Sequence, residues 1–151
     1  MISYQASTVA KADPEAVWAA WTDVPGWSDA DHIESAELDG EFRPGGTIVS
    51  KAGGLPRTTL TITRVERPRL WVDESRSPGV SMTFEHVIEP GDAGTVLTER
   101  VLIRGPLAWL VGPLMRRKLQ ALFGTSVAHV ARRADALESR AEPGATKSPP
   151  D

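Results

Sequence analysis

The chain has 151 residues, 40% of them hydrophobic, which suits one domain with one core and is too many for a disordered polymer. Seventeen basic residues against 20 acidic ones leave a net charge of -3, which argues against nucleic acid as the main partner, because phosphate binding needs a concentrated basic surface. Without cysteine there is no disulfide, thiolate nucleophile or thiolate metal site, a composition that fits a reducing compartment.

Met1-Ile2-Ser3-Tyr4-Gln5 has neither the basic start nor the apolar run of a signal peptide. No apolar segment approaches the roughly 20 residues that span a bilayer, so a cytoplasmic protein is expected. Residues 2–10 suit a first strand. Asp13 is a good N-cap, Pro14 suits the first helical position and Glu15 favours the positive helix end. A short helix then runs to about Trp21, with Val17, Ala20 and Trp21 on one face and Trp18 at its border. Asp23 caps a second short helix, expected to reach about Ala30. Three of the five tryptophans, Trp18, Trp21 and Trp27, fall in ten residues. An exposed helix has no use for so many indoles, whereas one closing the end of an apolar chamber does.

The middle of the chain reads as strands near 33–42, 46–52, 57–66, 69–76, 79–89 and 94–104, separated by Gly/Pro turns such as Arg43-Pro44-Gly45-Gly46 and Ser77-Pro78-Gly79. The clearest is the run in which Val80, Met82, Phe84, His86 and Ile88 alternate with Ser81, Thr83, Glu85 and Val87. Short loops between successive strands imply an antiparallel meander. From Pro106 the pattern becomes helical, with a break or kink expected at Gly112-Pro113. Leu119, Leu122, Phe123, Val127, Val130, Ala134 and Leu137 then form one apolar stripe, which needs the curved sheet as its partner. A domain over residues 1–138 is expected, with 139–151 a disordered tail.

Ala12-Asp13-Pro14-Glu15-Ala16-Val17-Trp18 with Trp21-Thr22-Asp23 and Trp27, Gly40-Glu41-Phe42-Arg43-Pro44-Gly45-Gly46, Gly94-Thr95-Val96-Leu97-Thr98-Glu99-Arg100 and Gly105-Pro106-Leu107-Ala108 carry a resemblance. Over roughly residues 3–138 the chain resembles the START-like, Bet v 1-like (SRPBCC) superfamily, and within it the polyketide cyclase/dehydrase group. The resemblance implies an α+β helix-grip fold: a seven-stranded antiparallel curved sheet wrapped around a long C-terminal helix, with two short helices between strands 1 and 2. It also implies a cavity for a small apolar molecule such as a lipid, polyketide or aromatic metabolite. The residues that carry chemistry differ among the enzymatic members, so no catalytic set transfers.

The candidates come from the residues themselves. His86 lies on the apolar face of its strand, as a ligand-orienting group, a general base or a satisfied core histidine. Either Glu99 or Arg100 is its neighbour on the next strand; the turn at 89–95 is uncertain by one residue, and a one-residue slip exchanges them. Trp71, Met82, Phe84, His86, Trp109, Leu119, Phe123 and Val127 are the expected ligand-binding residues, with ordinary aromatic core the alternative for Trp71, Trp109 and Phe123. The Trp18 or Trp27 side chain is large enough to fill the chamber. Arg64 shares the Leu60–Ile62 side of its strand and is either an inward anchor or snorkels to water. Ala52-Gly53-Gly54-Leu55-Pro56 lacks the Gly-Lys-Ser/Thr ending of a phosphate loop. His32, His86 and His129 share no ligand spacing, so neither metal nor other cofactor is expected. Three readings stay open: a binder of a small apolar ligand, a cyclase/dehydratase-type enzyme with His86 as base, or a lipid carrier or accessory protein docked to a membrane through Arg116, Arg117 and Lys118. No oligomeric state is implied.

Overall fold

Residues 1–141 are described by the computed structural model. Alternation and turn chemistry produce seven strands: β1 (Ile2–Ala10), β2 (Ile33–Asp39), β3 (Thr47–Ala52), β4 (Thr58–Glu66), β5 (Leu70–Ser77), β6 (Val80–Gly91) and β7 (Gly94–Arg104). They form one antiparallel sheet in the order β1-β7-β6-β5-β4-β3-β2, so β1 closes onto the last strand and the remainder is a meander. α1 (Pro14–Thr22) and the 3-10 segment Val24–Asp29 lie between β1 and β2, and α2 (Ala108–Ala141) crosses the concave face. This is the helix-grip α+β fold. Among the described residues no helix is long and apolar enough to cross a membrane.

The Asp13 carboxylate accepts the Ala16 N–H at 2.8 Å, the N-cap that starts α1. Gly94, at φ 141°, begins β7; a Cβ there would overlap the Ala10 carbonyl, so the β6–β7 turn closes against the end of β1 only without a side chain. Pro113 does not break α2. It lies near the helix start and removes one N–H, the partner of the Trp109 carbonyl, at an end of the helix that faces water. Gly112 rests against Ile2, where a larger side chain would collide. The helix continues to Ala141, through the first three residues of the expected tail; residues 142–151 lie outside the described residues.

The interior has two clusters. One gathers Trp18, Trp21 and Trp71 with Ile48, Ile62, Leu97, Val127 and Val130; the other gathers Val101, Ile103, Ala108, Leu119 and Phe123. Leu137, at the far end of the helical stripe, is 37% exposed. Polar ties hold the back of α2 to the first helical segments. Asp135 accepts the Ala12 N–H at 2.8 Å, Glu138 accepts the Asp13 N–H at 3.3 Å, and Arg133 is paired with Asp23. At the front, Lys118 donates to the Gly54 carbonyl at 3.2 Å.

Candidate functional site

Between sheet and helix lies a cavity of about 330 Å³. Its apolar wall includes Val80, Met82 and Phe84 from β6 and Met115, Leu119 and Phe123 from α2, with Trp21 and Trp27 at one end. Phe84 and Phe123 meet edge to face at 6.1 Å. The volume is at the lower end of the range for small-molecule sites.

The polar part of the wall is set by strand register. His86 stands opposite Trp71 on one side and Glu99 on the other. The choice between Glu99 and Arg100 is therefore resolved: Glu99 faces inward and is buried, while Arg100 faces out and donates to Glu85 at 3.1–3.2 Å. The strands stay paired to Gly91 opposite Gly94, and this two-residue turn fixes the phase.

His86 Nδ1 donates to the Trp71 carbonyl at 3.2 Å; a carbonyl only accepts, so this partner assigns the proton to Nδ1. Nε2 then faces Glu99 Oε1 at 3.6 Å. The ring is stacked on Trp71 (centroids 3.5 Å apart, planes 1° apart), and its edge meets Trp21 at 5.2 Å with the planes 87° apart. The imidazole is thus held on one face by Trp71, at its edge by Trp21 and at one nitrogen by a carbonyl, and Nε2 is the nitrogen left with chemistry to offer.

Asp73 is the residue that sequence reasoning missed. It is 1% exposed, lines the cavity, and its Oδ1 has no hydrogen-bond partner among the described residues. Burial pushes its carboxyl up to about 7; His86 pulls it down and Glu99 pushes it further up. Period two would have found it, because Trp71 and Asp73 share a strand face. His32 and His129, far apart in sequence, meet across the cavity with ring centres 6.2 Å apart. Burial, and for His32 the neighbouring His129, for His129 the neighbouring Arg132 and Arg133, hold both below the ordinary histidine value. Among the described residues no group of three potential ligands is arranged to hold a metal ion.

The other expected site residues are distributed unequally. Met82, Phe84, Leu119 and Phe123 lie on the cavity wall. Trp71 is fully buried behind His86, packed between Trp27 and Phe42, and supports the wall instead of forming it. Val127 is buried against the tryptophan cluster, away from the cavity. Trp109 is 71% exposed at the start of α2, because the apolar stripe that faces the sheet passes it by. Trp18 packs edge-on to Phe42 at 6.2 Å and leaves the chamber open, while Trp27 donates to the Trp21 carbonyl at 2.9 Å and forms part of the end wall. A β-bulge between Ile62 and Arg64 reverses the facing of β4, so Val65 turns inward and Arg64 is exposed beside Glu66. Arg116, Arg117 and Lys118 are exposed on α2, next to exposed Leu114.

This architecture has relatives. The family described as "Polyketide cyclase / dehydrase and lipid transport" matches residues 1–135. The chain belongs to that family. No curated protein matches its sequence. Among solved structures it is similar to TTHA0849 from Thermus thermophilus, at TM-score 0.71 and 17% identity over 90% of this chain and 99% of the other. Norcoclaurine synthase from Thalictrum flavum, in complex with dopamine and hydroxybenzaldehyde, superposes at TM-score 0.68 and 13% identity, over 98% of this chain and 89% of its own. The di-domain ARO/CYC StfQ of the steffimycin biosynthetic pathway gives TM-score 0.69 and 14% identity over 93% of this chain and 52% of its own. At these identities the likeness establishes the fold alone.

Proposed function

We propose that this family member binds a small, mostly apolar molecule between the sheet and α2, with the ligand's polar group at Asp73, His86 and Glu99. The observation that carries this reading is an apolar cavity with unpartnered polar atoms, Asp73 Oδ1 and Glu99 Oε2, buried in its wall. Unsatisfied buried groups are costly, and a ligand donor removes that cost. Native mass spectrometry of the protein purified from its own host, with denaturing extraction of anything retained, is the test. A retained apolar molecule supports the reading. A protein that stays empty, even after incubation with mixed lipids and aromatic polyketides, overturns it.

A second reading, an acid–base enzyme of the cyclase/dehydratase kind, draws on the fixed imidazole. With Nδ1 committed to a carbonyl, Nε2 is oriented to take a proton from a ligand carbon, and Glu99 at 3.6 Å stabilises the imidazolium formed. His86→Ala separates the two readings on any retained compound. A binder shows no turnover in either form, whereas an enzyme loses turnover by about 10²-fold or more while still binding.

A further inference from the structure

The polar pole of the cavity has an unbalanced charge inventory. Its ionisable wall residues are Asp73 from β5, His86 from β6, Glu99 from β7, His32 just before β2 and His129 from α2; among the described residues no lysine or arginine lines it. The basic side chains on the adjacent rungs are turned away, Arg100 onto Glu85 and Arg64 toward water. Asp73 and Glu99 each keep a buried oxygen without a partner, and the one imidazole between them has a single free nitrogen. Two buried acceptors facing one histidine form a negative pole in an otherwise apolar space.

We infer that the ligand of this cavity is an apolar amine, its protonated nitrogen held by Asp73 and Glu99 and its hydrocarbon part against Met82, Phe84, Leu119 and Phe123. The inference rests on the reading of the cavity as a ligand site. An ammonium carries three donors and no acceptor, which matches two orphaned oxygens; a hydroxyl has one donor and adds lone pairs, and a carboxylate meets like charge. Burial holds the Asp73 proton to about pH 7, so taking up an ammonium releases it and affinity climbs as the pH rises toward that value. His32 and His129, held low, are uncharged at neutral pH; in acid they charge and oppose the amine, which steepens the same trend.

Titration calorimetry on the full chain with n-octylamine, n-octanol and n-octanoate tests this. Octylamine is expected to bind at least about 10-fold more tightly than octanol, and octanoate more weakly than either. Asp73→Asn and Glu99→Gln should each lower octylamine affinity more than octanol affinity, erasing most of the preference for the amine. Octanol or octanoate binding as tightly as octylamine overturns the amine assignment and leaves the cavity reading standing. Failure of all three to bind overturns both. If Asp73→Asn does not fold by circular dichroism, Glu99→Gln and the rise of the wild-type amine preference between about pH 6 and 8 decide the matter.

Discussion

Two adjacent rungs of one ladder, Glu85–Arg100 and His86–Glu99, have the same cross-strand geometry and opposite surroundings. The outer rung is a forked guanidinium–carboxylate pair in contact with water. The inner rung is buried, stacked on Trp71 and set beside a second carboxylate, Asp73. A surface ion pair contributes little because solvent screens it and two long side chains must be ordered. Charges inside a low-dielectric wall are strained against their own desolvation, and that strain is available to a ligand. The same residue types are therefore a solvated pair on one face and part of a candidate site on the other, and strand phase alone separates the two.

The largest perturbation of this contrast is removal of the support behind the inner rung. Trp71→Ala empties a fully buried indole site and should cost about 3–5 kcal/mol in urea unfolding. Next is Asp73. Its folded value of about 7 lies above the ordinary 3.8, so the native state keeps a proton that the unfolded chain gives up, and this contribution to stability is lost as pH rises between the two. Asp73→Asn should then stabilise the ligand-free protein on the order of 3 kcal/mol at about pH 8 and hardly at all at about pH 4, read from denaturant midpoints. A wild-type protein with flat stability over that window would remove the distinction drawn for the inner wall. The smallest effect belongs to the outer rung. A double-mutant cycle with Glu85→Ala and Arg100→Ala should return a coupling of about 0.2–1 kcal/mol, reduced further by salt.

How far the sequence exposed this arrangement varied by element. The alternation of β6 put His86 on the inner face, because one face of that strand is continuously apolar. Facing on β7 was not legible, since it depends on a turn whose length differs by one residue between two equally good readings. Arg64 reaches water, as one of its two readings has it, but not from the Leu60–Ile62 side, because a bulge inserts one residue into the β4–β5 pairing, and no local pattern marks it. Asp73 was hidden for a different reason: a carboxylate in a strand reads as solvent-facing unless the phase of its neighbour Trp71 is followed through. Val127 and Leu119 show a further limit. Both lie on the buried stripe of α2, and whether a buried apolar side chain meets core or cavity depends on what faces it.

The fastenings of α2 have a mechanical consequence. Arg133, Asp135 and Glu138 clamp one end with polar ties, while toward the other a lysine–carbonyl bond at Lys118 joins the apolar packing of Ala108, Leu119 and Phe123. A Cβ at Gly26 would overlap the Arg133 guanidinium, which lies directly on that glycine. A helix fastened in this way would pivot near Arg133, and the 15 residues back to Lys118 make an arm of about 22 Å. A tilt of about 10° at the fulcrum lifts the latched end by about 4 Å, close to the width of a hydrocarbon chain, and breaks the Lys118 bond together with the packing of Leu119 and Phe123 on the sheet.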